Sequence, residues 1–182
     1  MSKIVAIVSS PRKGANSDFL VNKAAEAAKK NGNDVQVFSL NGMANKKGCQ
    51  GCNACKKTGK CVTKDDLTPV IDAIREADGV IISSPVYFGE PCGQYRMLED
   101  RFFSFLNADF SINIDAGKKV AIITTAGSAG ADKLADRMEV VMKNYLKFES
   151  VGKLAVVTSN DPKFAENHPE IIAEAEALGK KL

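Results

Sequence analysis

Four of the five cysteines in this 182-residue chain lie between positions 49 and 61. Cys49, Cys52, Cys55 and Cys61 give the spacing C-x2-C-x2-C-x5-C. Thiolates this close can surround an iron–sulfur cubane, and the spacing resembles a compact ferredoxin-type run with a longer last gap and no following proline. A structural zinc site usually separates two C-x2-C knuckles by a dozen or more residues. We therefore favour a [4Fe–4S] site, with four reduced thiols in a surface loop as the alternative.

Three further segments combine polar, small or aromatic residues that suit ligand binding. Residues 9–17 bring hydroxyls, an arginine and a glycine to a helix start, which suits a phosphate monoester, although neither a Walker A loop nor a G-x-G-x-x-G fingerprint is present. Residues 84–89 contain two aromatic side chains that suit a flat ring system. Residues 124–130 are small and allow close backbone approach. Taken singly, each segment also fits an ordinary strand-end loop.

Short β-branched runs alternate with helical patterns and would position these segments. Most of the runs are continuously apolar, which is typical of strands buried on both faces. The alternation predicts an α/β fold: a five-stranded parallel sheet of flavodoxin-like order 2-1-3-4-5, with helices on both faces. Ligands in such sheets bind beyond the carboxyl ends of the strands, where the three segments would meet. The predicted strands are Ile4–Val8, Val35–Phe38, Val80–Ile82, Val120–Thr124 and Leu154–Val157.

Five helical patterns accompany the strands, and no repeat or linker interrupts them, so a single domain over residues 1–182 is expected. Capping side chains, prolines and apolar spacings of three and four residues mark the helices. Asn16 or Ser17 would cap the first helix, which would end at Asn31-Gly32. The second would open at Asp65 or Asp66, and the third would follow Pro91. The fourth would carry the apolar pattern from Leu134 to Tyr145, and the fifth would start near Pro169.

The three segments and the cysteine loop together resemble the NADPH-dependent FMN reductase superfamily, and within it the iron–sulfur flavoproteins of anaerobic microbes. The matching pieces are Ser-Pro-Arg-Lys-Gly-x-Asn-Ser, Ser-Pro-Val-Tyr-Phe-Gly and Thr-x-Ala-Gly-Ser, within residues 4 to about 130. The family often has glycine where Ser9 and Ala15 stand here, and both replacements are small. The resemblance implies a flavodoxin-like domain that binds FMN.

The residues implied by this resemblance fall in all four segments. The FMN phosphate would be held by Ser10, Arg12, Asn16 and Ser17. The isoalloxazine would lie against Pro85, Val86, Tyr87, Phe88 and Gly89, with Thr125, Ala126, Gly127 and Ser128 closing the other side. The [4Fe–4S] cluster would be held by the four cysteines, in a loop at about 46–64. Relatives with such loops are sometimes isolated without a cluster.

The resemblance also implies an FMN-dependent oxidoreductase that transfers electrons between NAD(P)H or a ferredoxin-type carrier and an acceptor such as a quinone or a flavin. FMN would carry the chemistry, so no catalytic side chain is expected. The only histidine, His168, lies away from the three segments, which argues against a Ser-His-Asp or Cys-His catalyst. A homodimer or homotetramer is implied, in which a neighbouring subunit completes the flavin site. The alternatives are a plain NAD(P)H:FMN reductase without a cluster, a non-enzymatic flavodoxin-like electron carrier, and a metal-binding regulatory module that has lost FMN.

Composition and apolar run lengths indicate the cellular compartment and the classes of partner to expect. A formal net charge of +3 argues against a dedicated nucleic-acid binder. The first apolar run, Ile4–Val8, is too short for a signal peptide or a membrane-spanning helix. Clustered cysteines favour a reducing compartment. We therefore expect a cytoplasmic protein without a membrane or nucleic-acid partner.

Two features outside the four segments have competing interpretations. Cys92 follows Pro91 at a helix start, where a thiol can be reactive, but we favour a packing role. Six lysines surround the cysteine loop; we favour solvated surface, with docking of an acidic electron carrier such as ferredoxin as the alternative. These lysines are Lys46, Lys47, Lys56, Lys57, Lys60 and Lys64.

Overall fold

The strands form one twisted sheet in a computed structural model that describes residues 1–182. Five of them are parallel, in the order β2-β1-β3-β5-β6, and the two-residue β4 pairs antiparallel with the end of β3. The predicted order 2-1-3-4-5 is confirmed for the parallel strands, and β4 is the sixth strand that the sequence did not reveal. The strands are β1 (Lys3–Val8), β2 (Asp34–Ser39), β3 (Gly79–Tyr87), β4 (Glu90–Pro91), β5 (Lys119–Ala126) and β6 (Glu149–Val157).

Six α-helices connect or follow these strands. The second is a single turn inside the cysteine loop and was not predicted, and the fifth continues as a π-helical segment over Val141–Tyr145. None of the helices has both the length and the apolar character needed to span a bilayer. The helices are α1 (Asn16–Lys30), α2 (Cys55–Thr58), α3 (Thr68–Glu76), α4 (Gly93–Arg101), α5 (Ala131–Val140) and α6 (Pro169–Lys180).

Two apolar cores fill the two faces of the sheet, as the continuously apolar strands predict. On one face, Leu20 of α1 and Leu178 of α6 pack together with the strands. On the other, Ile74 of α3, Leu98 of α4 and Met138 of α5 do the same. Burying one such side chain contributes about 1.5–3 kcal/mol. Both layers therefore hold the strand ends, and the loops that leave them, in fixed positions.

The edge strands depart from the continuously apolar pattern. β6 alternates buried and exposed residues toward its end, and Val157 is exposed. β2, which lies at the other edge of the sheet, likewise exposes Val37. Central strands are covered by helices on both faces, whereas edge strands are partly covered, so only the former read as uninterrupted apolar runs.

The start of α1 differs from the predicted cap. Ala15 is the N-cap and makes no side-chain hydrogen bond, while Asn16 and Ser17 lie inside the first turn. Their side chains instead bond to other strand-end loops, so tertiary contacts have replaced local capping. At α3, by contrast, the Asp65 carboxylate accepts a hydrogen bond from the Leu67 N–H just before the helix begins, close to the predicted opening.

Candidate functional site

A cleft of about 410 Å³ opens at the carboxyl ends of the parallel strands. Its volume lies in the range typical of small-molecule sites. All thirteen residues that the resemblance assigned to FMN line this cleft, so the loops after β1, β3 and β5 do converge. Six further residues complete the lining: Ala15, Ala129, Thr158, Asn160, Asp161 and Pro162.

One end of the cleft is suited to an anion. The loop after β1 delivers Ser10 and Arg12 to the wall and leads into the N-terminus of α1, whose first N–H groups have no intrahelical partner. The Ser10 hydroxyl accepts a hydrogen bond from the Arg12 backbone N–H at 3.1 Å, which fixes the turn. The exposed Arg12 guanidinium forms no hydrogen bond or ion pair within the chain. It is therefore available to an anionic ligand.

Asn16 and Ser17 line the same end, but their side chains are already engaged. The Asn16 amide donates to the Asp161 carbonyl at 2.7 Å and accepts from the Ala165 N–H at 2.8 Å. The Ser17 and Thr125 hydroxyls lie 2.7 Å apart in a buried hydrogen bond. These side chains thus join the first turn of α1 to the end of β5 and to the segment after β6, and they line the cleft. Direct contact between them and a phosphate remains a prediction.

The opposite wall is a two-residue hairpin rather than a simple loop. β3 continues through Pro85 to Tyr87 and turns at Phe88 and Gly89 into β4. Both turn residues have positive φ, 51° and 83°, as such tight hairpins require. A phenylalanine in this backbone region is uncommon, and its ring is fully exposed. The hairpin therefore presents an aromatic side chain to whatever covers the cleft.

A polar cluster that runs from the buried Tyr95 and Glu99 to the exposed Glu90 supports the hairpin from behind. Arg137 of α5 binds Glu99 of α4 through two 2.9 Å hydrogen bonds and lies 3.6 Å from Glu90 of β4. Hydrogen bonding to Glu99 raises the pKa of Arg137. Burial raises the pKa of Tyr95 well above its ordinary value, and the Glu99 charge adds to this effect. Tyr95 thus stays neutral while the ion pair links α4, α5 and the hairpin.

The loop after β5 meets the loop after β6 at very close range. A Cβ atom on Gly127 would stand 2.0 Å from the Asn160 Oδ1, so any larger residue here would displace the Asn160 side chain. Asn160 and its neighbour Ser159 both have positive φ, 60° and 50°. Non-glycine residues held in this region store strain, and such strain concentrates at functional sites.

The loop after β6 was not among the segments predicted to form the site. Asn160, Asp161 and Pro162 follow an edge strand, whereas the predicted segments belong to the central strands β1, β3 and β5. A usable signal was present, because the run Ser-Asn-Asp-Pro directly after a strand marks a tight turn at the carboxyl edge of the sheet.

The four cysteines line a second, much smaller pocket of about 10 Å³. Cys55 is buried and Cys61 half-buried, while Cys49 and Cys52 are exposed. The soft thiol donors fit an iron–sulfur cluster by their chemistry. As the loop stands, no three cysteine, histidine or carboxylate groups in the chain are close enough together to hold a metal ion.

The lysines around this loop do not all point into solvent. The Lys56 ammonium donates to the Phe103 and Leu106 carbonyls, both at 2.6 Å, and lies over the Phe103 ring. Lys46 donates to the Met43 carbonyl at 2.6 Å. The prediction of solvated surface is therefore wrong for these two. It holds for the exposed remainder, which are Lys47, Lys57, Lys60 and Lys64.

Cys92 and His168 lie outside both pockets. Cys92 is buried at the start of α4, where its thiol donates to the Ser9 carbonyl at 3.3 Å, as expected for a packing residue. His168 precedes α6, stacks on Phe164 at 3.8 Å and bonds to the carbonyl of that residue. His168 lies away from the cleft, as the sequence predicts, and its ring does not line it.

Two proteins of similar sequence are named iron-sulfur flavoproteins. An iron-sulfur flavoprotein of Methanocaldococcus jannaschii is 35% identical over 162 residues, which cover 88% of this chain and 78% of that protein. One from Methanosarcina thermophila is 33% identical over 121 residues, covering 66% of this chain and 62% of that protein. The chain thus spans less than two thirds of the second relative.

A solved structure of similar architecture is an NAD(P)H:quinone oxidoreductase from Methanothermobacter marburgensis. Its TM-score is 0.72 at 14% identity, with 99% of this chain and 96% of that chain covered. At this identity the likeness shows the fold, which is flavodoxin-like. The family model for NADPH-dependent FMN reductase matches residues 2–163, nearly the whole chain. The chain belongs to the NADPH-dependent FMN reductase family, and it is an oxidoreductase of that family.

Proposed function

We propose that the protein binds FMN in the strand-end cleft, uses it to take electrons from NAD(P)H or a ferredoxin-type carrier, and passes them to an acceptor. The observation that carries this proposal is the convergence of the three sequence motifs on one cleft in a chain of this family. Bound FMN would supply the redox chemistry, which for a quinone acceptor is NAD(P)H + H⁺ + quinone → NAD(P)⁺ + quinol.

The chain's own residues would bind and orient the cofactor. Ser10, Arg12 and the α1 N-terminus form the end suited to the phosphate. The hairpin at Phe88-Gly89 and the small residues around Gly127 leave a slot between them for the isoalloxazine. No histidine or cysteine lines the cleft, so proton exchange would occur with solvent or through Asp161, the only carboxylate in the wall.

We further propose a homodimer or homotetramer in which a second subunit covers the cleft. Tyr87 and Phe88 are exposed at the rim, and exposed aromatic side chains next to a ligand site are typical of a covered surface. A neighbouring subunit placed here would exclude water from the ring while leaving space for a nicotinamide.

The cysteine loop is proposed to carry a [4Fe–4S] cluster that exchanges single electrons between the flavin and an outside carrier. Four thiols around one pocket support this, together with relatives named iron-sulfur flavoproteins. The exposed lysines nearby would attract an acidic carrier such as ferredoxin. The second candidate is a plain NAD(P)H:FMN reductase without the cluster, and it is favoured by the absence of any group of three side chains placed to hold a metal ion.

The first experiment is an anaerobic visible spectrum with iron, sulfide and flavin analysis, before and after reconstitution. We expect flavin bands and about four irons per chain, as a [4Fe–4S] site requires. Cys55→Ser should lose the iron and keep the flavin, whereas Cys92→Ser, which alters a cysteine outside the pocket, should keep both. Flavin without iron in the reconstituted wild type would leave the plain reductase.

Turnover separates an enzyme from an electron carrier. NADH and NADPH are each supplied with a quinone or with free FMN, and their oxidation is followed anaerobically. We expect steady turnover with at least one pair. Flavin-loaded protein that oxidises neither nucleotide, and that gives no turnover of quinone or free FMN with reduced ferredoxin as the donor, would instead indicate a flavodoxin-like carrier. Protein that takes up no FMN even when FMN is added would point to a regulatory module.

A further inference from the structure

A single buried arginine closes the cysteine loop. Arg101, the last residue of α4, is 1% exposed. Its Nη1 lies 3.1 and 3.0 Å from the two carboxylate oxygens of Asp65, whose side chain is fully buried. Removing one partner of such an ion pair would leave an uncompensated charge inside the protein.

The same guanidinium reaches both ends of the loop. Nη1 donates to the Lys47 carbonyl at 3.3 Å, two residues before Cys49. Nη2 donates to the Thr63 carbonyl at 3.4 Å, two residues after Cys61. The segment that carries all four cysteines is therefore fastened at its entrance and its exit by one side chain.

One donor of Arg101 remains unused. Its Nε–H is buried and has no hydrogen-bond partner. Arg101 also lines the pocket that the four cysteines surround. A buried charged donor without an acceptor is costly, and in a native structure such a group calls for an explanation such as a redox role, a water or an ion. The lining offers side-chain oxygens and the four sulfurs as acceptors, and among these only the sulfurs become negatively charged when a metal binds.

We propose that Arg101 is a positioning residue for a metal–thiolate centre in this pocket: it closes the loop through Nη1 and Nη2 and donates its Nε–H to a thiolate ligand. This inference rests on the proposed metal centre and goes beyond it by naming the group that stabilises the thiolate charge. Hydrogen bonds to ligand sulfur and nearby cations raise the reduction potential of iron–sulfur clusters. Arg101 therefore also favours the reduced cluster.

Arg75 provides a matched control. It too is tied to the loop, through a 2.9 Å hydrogen bond to the Gly59 carbonyl, and its Nε–H likewise lacks a partner. It does not line the cysteine pocket. Arg75 also donates to Asn113 and to the Ser104 carbonyl. Arg75→Lys therefore tests the loss of an arginine that supports the loop from outside the pocket, whereas Arg101→Lys keeps a cation for Asp65 and loses the Nε–H donor.

The experiment measures Co²⁺ binding to the iron-free full-length protein under anaerobic conditions, by the thiolate-to-cobalt charge-transfer absorption. We expect Arg101→Lys to raise the Co²⁺ Kd at least tenfold and Arg75→Lys to change it less than twofold. Circular dichroism checks that each variant is folded. If Arg101→Lys does not fold, the Asp65→Asn/Arg101→Gln double variant, which leaves no buried charge unpaired, replaces it with the same expectation.

A second readout uses the iron-loaded protein. Arg101→Lys should shift the one-electron reduction equilibrium at least tenfold toward the oxidised cluster, which is about 59 mV in midpoint potential. The inference would be overturned if the folded Arg101→Lys and Arg75→Lys variants bound Co²⁺ with the same Kd. Thiolate binding of Co²⁺ that depends on Arg101, in protein that assembles no iron, would support the inference and reject the cluster. Wild type that binds neither metal through its thiols would reject both.

Discussion

Replacing Arg12 with alanine tests the placement of the FMN phosphate most directly. The guanidinium is exposed at the cleft and has no partner in the chain, so its loss leaves no buried group unsatisfied and the fold should be unaffected. A hydrogen bond to a charged group contributes about 1.5–3 kcal/mol, and exposure favours the lower end. A loss of about 1.5 kcal/mol corresponds to about a tenfold rise in the FMN Kd.

The assay is a titration of flavin-free protein followed by quenching of flavin fluorescence, with FMN and riboflavin compared. Riboflavin has no phosphate, so Arg12→Ala should leave its Kd unchanged. Lys13→Ala is the matched control, because it removes a neighbouring exposed charge that does not line the cleft.

Two results would refute this reasoning. An FMN Kd unchanged by Arg12→Ala would mean that the phosphate lies elsewhere. An equal loss for FMN and riboflavin would mean that Arg12 acts on the ring or on the shape of the loop. A similar loss in Lys13→Ala would show that the effect is general electrostatic attraction, which added salt should then abolish.

Three further substitutions test contacts in the fold and the cleft. Gly179→Ala places a Cβ 2.0 Å from a carbonyl oxygen of α1, so urea unfolding should show a loss of about 1–3 kcal/mol; unchanged stability would contradict this helix contact. Burial acts to raise the pKa of Asp65, but a backbone N–H donor and Arg101 outweigh it and hold the pKa below its ordinary value. The contribution of the Asp65 carboxylate to the free energy of unfolding is therefore complete above the unfolded-state pKa of about 3.9 and is lost as pH falls through the folded-state pKa. The difference in the free energy of unfolding between wild type and Asp65→Asn should accordingly narrow in acid and stay constant near neutral pH. Gly127→Ala should weaken FMN binding by displacing Asn160, and the added Asn160→Ala change should restore it; no recovery in the double variant would count against this clash.

The cleft was largely predictable because its determinants are local in sequence. A parallel sheet brings every strand end to one edge, so motifs that follow β1, β3 and β5 must meet once the strand order is known. The strand order followed in turn from the alternation of strands and helices, because right-handed crossovers leave few topologies for such a sheet. Side-chain roles were less predictable, since Asn16 and Ser17 have the residue types of caps and phosphate ligands but bond to distant loops.

The surroundings of the cysteine loop were not predictable from local pattern. Arg101 is about forty residues from the last cysteine of the loop, and nothing in its neighbourhood distinguishes it from a surface arginine at a helix end. Lys56 lies in a charged run of the sequence, yet its ammonium donates hydrogen bonds to two backbone carbonyls. The positions of such buried or half-buried cations are fixed by long-range contacts, which the periodicity and spacing of a sequence do not indicate.

The cleft and the cysteine pocket lie toward opposite ends of one helix. The first turn of α4 is tied to the ends of β1 and β3 through Cys92, and its last residue, Arg101, lies in the cysteine pocket. Nine residues give an axis of about 13 Å, and the two pockets share no lining residue. Substitutions that are well separated usually add within about 0.3–0.5 kcal/mol. The FMN binding free energy of the Arg12→Ala/Arg101→Lys double variant should therefore equal the sum of the single effects within that margin. A larger departure, measured with the same fluorescence titration, would show that α4 couples the state of the cysteine loop to flavin affinity.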